Sequence, residues 1–593
     1  MTFTARILRR VFEWSVCARV ARFQKALANP DTAQAEQLRD ILAANATTAF
    51  GRSANFARLA AEPNTARLAA AYRAAVPIRQ PADFAPYIDR MRAGEPNILV
   101  TQPLLMFALT AGTGAAPKFC PVTRRLVREQ HVSHLLWMRA LWDDHPAVGV
   151  GRYLTVASPA EIGQTPGGTP YGAMSGRQLA DQSIPVRRRY AVPPEAFAVP
   201  DAEGRRHAAL VFALGVANVS VVMAVSPATL VVLGDAMRDR AEALLADVEA
   251  GSLANAPNLD PAWRRRLESR LSALPERART LRERMKTDGR LSPMAAWPGL
   301  AVIATWQGGS APFYGARLPE SWGDAPQRCL GLRASEGTFT IPVADRSASG
   351  IFGATGHVVE FLPGEDAPRP DSVTLSPSEL EIGKRYRMVI TTSGGLYRYD
   401  LGDAVEATAF RERTPELAFL HRAGAVLSIA GEKVTEDQVA AAMSPLAVDF
   451  PRLAGFTVTL EQTSPPRYIL AVEWKGAPPA EPLPGDLRRS LAAVLSAFDH
   501  NLSAANLEYA AKRSDGRLAF PRLLLLAEGT YAARRARLLA EGRPEGQLKP
   551  LHLTPPPGLR RAPVAGCPFF DHARVVAGCD PERTDAGTTE RRS

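Results

Sequence analysis

From about residue 99 to about residue 430, short apolar runs alternate with stretches of helical period such as Met237 to Val248. Among these runs are Leu154-Thr-Val-Ala, Ala301-Val-Ile-Ala-Thr and Met388-Val-Ile-Thr-Thr. Runs of that length read as buried strands, and strands interleaved with helices make a mixed α/β body. Residues 30 to 75 precede it with helical periodicity in Gln34, Leu38, Ile41 and Leu42, and no repeat of 20 to 50 residues recurs. Beyond about residue 425 the pattern changes. Phe456-Thr-Val-Thr-Leu and Tyr468-Ile-Leu-Ala-Val-Glu-Trp flank a Ser-Pro-Pro turn, and a helix around Leu487 to Phe498 follows, which fits a small α+β domain.

Length agrees with more than one core. At 593 residues the chain exceeds what one hydrophobic core organises, so a large domain over 1–424 and a small one over 425–558 are expected. From Leu559 to the end, Pro, Gly, Arg and Asp mix without period, and a loose tail over 559–593 is expected. Hydrophobic residues at 46% and charged residues at 22% place the chain among globular proteins.

The net charge is +11, yet the basic residues spread from Arg6 to Arg592 without a block of like charge, so nucleic acid is not the expected partner. Cys17, Cys120, Cys329, Cys567 and Cys579 show no metal-ligand spacing, which fits a reducing cytoplasm. Arg9, Arg10, Glu13, Arg19 and Arg22 interrupt the first segment, so it reads as an amphipathic helix and not as a signal peptide. Ala208 to Gly234 carries no Asp, Glu, Lys or Arg, but Asn218, Ser220, Ser226 and Pro227 punctuate it. A membrane span is not expected there.

Four short constellations carry the chemistry. Thr110-Ala-Gly-Thr-Gly-Ala-Ala-Pro-Lys118 follows the strand-like Leu104-Leu-Met-Phe-Ala-Leu. Small residues there let backbone amides approach phosphate oxygens, and the lysine supplies countercharge. An ordinary glycine-rich turn is the other reading. In Gly331-Leu-Arg-Ala-Ser-Glu-Gly337 the acid suits the magnesium of a nucleotide, with a helix N-cap by Ser335 as the alternative. Gly395-Leu-Tyr-Arg-Tyr-Asp-Leu-Gly-Asp403, with Arg422 nineteen residues on, offers a carboxylate for ribose hydroxyls; the alternative is a tight turn with a local Arg398–Asp400 ion pair. Gly546-Gln-Leu-Lys549-Pro places a lysine late in the chain, where it can meet charge developing on an α-phosphate or merely mark a turn. The chain has only eight lysines, and Lys118 and Lys549 fall in these motifs.

The order of these elements resembles the acyl-acid amido synthetases of the auxin-responsive Gretchen Hagen family. So do the intervening Val76-Pro-Ile, Ala85-Pro-Tyr-Ile-Asp-Arg-Met-Arg-Ala-Gly-Glu-Pro-Asn, Trp306-Gln-Gly-Gly-Ser and Asp499-His-Asn-Leu-Ser-Ala-Ala-Asn-Leu-Glu-Tyr. The resemblance runs from about residue 20 to about residue 555. It implies the acyl-adenylate-forming fold: a large N-terminal domain of stacked mixed sheets and helices, a small mobile C-terminal domain, and a hinge near Arg422 to Lys433. It also implies roles. Thr110, Gly112, Thr113, Gly114 and Lys118 surround the phosphates of ATP, Ser335 and Glu336 the α-phosphate and Mg2+, and Asp403 and Arg422 the ribose. Lys549 serves the adenylation transition state, and Trp306, Gly308 and Gly309 lie beside the carboxylic acid.

One departure bears on catalysis. Where the family's phosphate loop usually reads Thr-Ser-Gly-Thr-Thr-Gly before Pro-Lys, this chain has Ala111, Gly114 and Ala115. Two hydroxyl donors are gone. A hydrogen bond to a charged group contributes roughly 1.5–3 kcal/mol, so adenylation slows by a few orders of magnitude unless backbone amides or Arg124 compensate. The expected activity is ATP-dependent formation of an acyl-adenylate followed by amide formation with an amine such as an amino acid. An acyl-CoA ligase and a non-catalytic ligand-binding relative are the alternatives. His131 and His134 read as surface or core residues, and Cys120 as a small buried residue without a base beside it.

Overall fold

The computed structural model describes residues 3–110, 118–309, 311–422, 426–430, 432–478, 483–540, 552–554 and 574–575. The chain divides into two compact units. One takes in residues up to Gly308 and from Leu318 to Arg422; the other takes in Gly309–Arg317 and the described residues from Val426 onward.

Among its described residues the first unit contains three sheets. A parallel sheet runs Arg152–Val156, Val219–Ala224, Val302–Thr305, Gln327–Cys329. Its Val219–Ala224 strand is buried at every position, as strands covered by helices on both faces require. This strand accounts for the uncharged stretch from Ala208 to Gly234. Most of the rest of that stretch lies in the helix Ala202–Leu214 and the helix Pro227–Asp239, which Pro227 opens, with short connections between. Among the described residues no helix is long and apolar enough to cross a membrane. The helical pattern from Met237 to Val248 is broken at Arg240, with the next helix spanning Ala241–Ala250.

A six-stranded sheet carries the hairpin that joins strand Tyr399–Arg411 to strand Thr414–Arg422. Glu412, with φ of +54°, makes the turn, and the register brings Asp403 opposite Arg422. A four-stranded sheet carries a second hairpin, in which strand Leu104–Thr110 pairs with Lys118–Thr123 and Thr110 faces Lys118.

Helix Pro30–Ala44 packs on this body through Gln34, Leu38, Ile41 and Leu42. Full burial of each aliphatic side chain contributes roughly 1.5–3 kcal/mol. The buried Gln34 amide is satisfied by the backbone it covers. Its Nε2 donates to Ala354 O at 2.7 Å and His357 O at 2.8 Å, and its Oε1 accepts from Val359 N at 2.7 Å.

In the second unit, strands Leu453–Glu461, Arg467–Trp474 and Arg522–Leu526 pack against helices Glu436–Asp449 and Gly485–Ala505. The segment Gly309–Arg317, expected in the large domain, belongs here. Phe313 is fully buried and meets Phe456 edge-on at 4.9 Å. The stretch from Leu559, expected to be loose, contributes strand Arg574–Val575 to the edge of this sheet, paired with Leu524 and Leu525.

Candidate functional site

A cavity of about 550 Å³ in the first unit draws its lining from segments far apart in sequence. Lys118 stands at the start of its strand, Glu336 on a tight turn, and Arg422 at the end of the Thr414–Arg422 strand. Arg422 Nε lies 3.4 Å from Asp403 Oδ1. The nineteen-residue spacing of Asp403 and Arg422 is thus the arithmetic of one hairpin.

The turn carrying Glu336 is not a helix start. Ala334 N donates to Gly337 O at 2.8 Å, Gly337 N donates to Ala334 O at 3.3 Å, and Arg333 bridges Thr338, so Ser335 and Glu336 form a two-residue tip. No helix follows for Ser335 to cap. The local Arg398–Asp400 pair is also absent. Arg398 has φ of +45°, which swings its guanidinium to Glu360, bonded at 3.1 and 3.0 Å, while Asp400 pairs with Arg387.

The charges in this group perturb one another. Burial pushes the Glu336 carboxyl above its ordinary range, against the opposing pull of Arg422. Burial alone would lower Arg422, but the carboxylates of Asp403 and Glu336 outweigh it and hold the guanidinium above its ordinary range. Desolvation, then the charge of Arg422, moves Lys118 downward. A buried acid and two cations so coupled make a polar centre of the kind that receives a charged ligand.

Of the remaining sequence-derived positions, Thr110 ends its strand opposite Lys118. Gly112, Thr113, Gly114 and Lys549 lie outside the described residues. Trp306 packs edge-on against Phe419 at 5.1 Å, and Gly308 sits so close that an added Cβ would lie 2.7 Å from Trp306 Cζ2. Gly309 has φ of +58° and begins the segment assigned to the second unit. Trp306, Gly308, Ser335 and Asp403 are not among the described residues lining the cavity. Neither is Arg124, the expected compensating cation.

One wall was missed. Ala82, Ala85, Asp89 and Arg92 line the cavity from the helix Pro81–Arg92. Their spacing of three and four residues places them on one helical face, a signal present in a stretch that carries the family resemblance but to which no ligand role attaches. The Arg92 guanidinium carbon sits 4.1 Å over the Phe119 ring. Cys120 also lines the cavity, and burial, with Glu336's charge, pushes its thiol well up, so it is a poor nucleophile. His134 is half-buried and stacks on Trp137 at 5.6 Å.

The fold is that of an acyl acid amido synthetase. A solved structure of GH3.15 acyl acid amido synthetase superposes with a TM-score of 0.75 at 21% identity, covering 90% of this chain and 93% of that one. The chain belongs to the GH3 family: its N-terminal, central and C-terminal domain descriptions match residues 19–327, 351–422 and 436–557. A probable indole-3-acetic acid-amido synthetase GH3.12 of Oryza sativa subsp. japonica is 26% identical over 89% of this chain and 92% of its own length. A jasmonoyl–L-amino acid synthetase GH3.5 of the same organism is 27% identical over 69% of this chain and 75% of its own.

Proposed function

We propose that this GH3-family protein uses ATP to activate a carboxylic acid as its acyl-adenylate, releasing pyrophosphate, and then transfers the acyl group to an amine to form an amide. The observation that carries this reading is the convergence of Lys118, Glu336 and Arg422 on one cavity, with Asp403 paired to Arg422. The names of the rice relatives, an indole-3-acetic acid-amido and a jasmonoyl–amino acid synthetase, support an acyl acid and an amino acid as the substrate classes.

Asp403 and Arg422 hold the ribose. Lys118, with Thr110, Gly112, Thr113 and Gly114, surrounds the phosphates, and Ser335 and Glu336 meet the α-phosphate. A desolvated carboxylate is relieved by a divalent cation, so Glu336 suits Mg2+, which supplies charge neutralisation on the phosphate oxygens. Lys118 and Arg422 are offset by Glu336 and Asp403. Further countercharge for a triphosphate would therefore be supplied by Lys549 and by the amides of the loop between Thr110 and Lys118, alongside the Mg2+ that Glu336 would hold. Trp306, Gly308 and Gly309 border the acid. The protein's part is to position the carboxylate against the α-phosphate and to neutralise charge, since the leaving group belongs to the nucleotide. The small C-terminal domain carries Lys549, and a cytoplasmic location suits the free thiols of Cys17, Cys120 and Cys329.

Carboxylate-dependent ATP–pyrophosphate exchange over aromatic, aliphatic and jasmonate-like acids tests the reading. Exchange with at least one acid, followed by amide product with an amino acid, is expected. Thioester product with coenzyme A and no amide would make it an acyl-CoA ligase, and no exchange with any acid would leave a ligand-binding relative.

A further inference from the structure

We infer that His357 is a positioning residue that sets the depth of the turn bearing Glu336, an inference that rests on the proposed role of Glu336 toward Mg-ATP. The His357 side chain is 1% exposed and lies directly against the turn. A Cβ built on Gly337 would fall 2.5 Å from His357 Cδ2 and 2.9 Å from its Nε2. Gly337 does not need glycine for a positive φ. Glycine is needed because the imidazole, with the closest atom, and the Phe339 ring, whose Cζ would lie 2.9 Å away, occupy the space a side chain would take; the imidazole is the nearer part of the floor on which the Ser335–Glu336 tip rests.

The floor is held from two sides. Gln34 fixes the His357 backbone carbonyl. The ring's Nδ1 lies 3.5 Å from Glu129 Oε2. Glu129 is anchored in turn by Arg125 at 2.9 Å, Gln37 at 2.7 Å and Ser393 Oγ at 2.6 Å. Ser393 belongs to the turn closed by Thr392 N donating to Leu396 O, and Leu396 lines the cavity. One carboxylate therefore stands between two walls: it lies against the His357 ring under the Glu336 turn, and it is hydrogen-bonded by Ser393 in the Leu396 turn. Neither His357 nor Glu129 lines the cavity, so both act through the groups they place.

The test is a double-mutant cycle on the full chain, read by calorimetry with ATP in magnesium and with ATP in EDTA, and by thermal melting. Gly337→Ala pushes the turn off its floor and is expected to weaken Mg-ATP binding about tenfold while leaving ATP in EDTA within about twofold. His357→Ala removes the nearer part of the floor and is expected to weaken Mg-ATP about fivefold, with His357→Gln restoring it to within about twofold. In the double variant the closest contacts of the added methyl, those with His357, are gone and only Phe339 Cζ at 2.9 Å remains, so its loss is smaller than the product of the two single losses. Losses that multiply, an Mg-ATP affinity unmoved by Gly337→Ala, or equal losses with and without magnesium would each overturn the role. Should Gly337→Ala fail to fold, the His357→Ala and His357→Gln pair decides. Wild-type protein that binds Mg-ATP but shows no exchange refutes the amido synthetase reading while leaving this cycle readable, and failure to bind Mg-ATP at all sinks both.

Discussion

Arg387 grips both carboxylate oxygens of Asp400, Nε to Oδ1 at 2.8 Å and Nη2 to Oδ2 at 2.7 Å, with the Asp400 side chain 1% exposed. The two residues line the cavity as a self-neutralised pair, and Asp400 also accepts from Gly402 N at 3.1 Å. Removing one partner strands the other's charge, which costs about 3–5 kcal/mol. Asp400→Ala is therefore expected to lose about that much stability, and adding Arg387→Met to recover part of it. Denaturant unfolding of the single and double variants checks this; a double variant less stable than Asp400→Ala would contradict it.

Asp403 faces Arg422 across the hairpin and is proposed to hold ribose. Asp403→Ala is expected to weaken ATP binding by about 1.5–3 kcal/mol, roughly ten- to a hundredfold, as fits loss of a charge-assisted hydrogen bond. Calorimetry with ATP measures it, and an unchanged affinity removes Asp403 from the site.

Lys549 is proposed to act only while the carboxylate attacks the α-phosphate. Lys549→Ala is expected to abolish pyrophosphate exchange and to spare amide formation from a supplied acyl-adenylate. Comparable loss in both half-reactions would disprove the assignment.

His421 Nε2 lies 2.9 Å from Glu365 Oε2, and this hydrogen bond is the first cause lowering the Glu365 carboxyl to about 2. A carboxyl whose folded value lies below its unfolded one stabilises the fold above the unfolded value. That contribution is lost as pH falls from about 4.5 toward about 2. Glu365→Gln should melt below wild type near neutral pH, with the gap closing on acidification. A gap constant between pH 6 and pH 3 would exclude this linkage.

The Trp306 ring leaves no room beside Gly308, where an added Cβ would also sit 3.0 Å from Phe419 Cδ1. Gly308→Ala must displace the indole, at a cost of about 1–3 kcal/mol. With Trp306 proposed to border the acid, KM for the carboxylic acid is expected to rise about tenfold while KM for ATP stays within about twofold. Steady-state kinetics in both substrates separates these outcomes.

Local pattern and chain order were enough for the α/β class and for the helix through Leu38, Ile41 and Leu42. They also located the strands at Phe456 and Tyr468, and the order of the motifs carried the resemblance to the GH3 family. Each of these depends on periodicity or on motifs contiguous in the chain. The hairpin pairing of Asp403 with Arg422 was half-legible, since both residues were singled out but the turn at Glu412 that brings them together was not. Tertiary structure alone decided the partners of Arg398 and Asp400. A left-handed backbone at residue 398 turns adjacent charges in different directions, and side-chain pairing answers to direction in space. It alone brought the face of helix Pro81–Arg92 to the cavity and the His357 ring beneath Gly337, because steric exclusion acts between atoms that sequence separation does not relate.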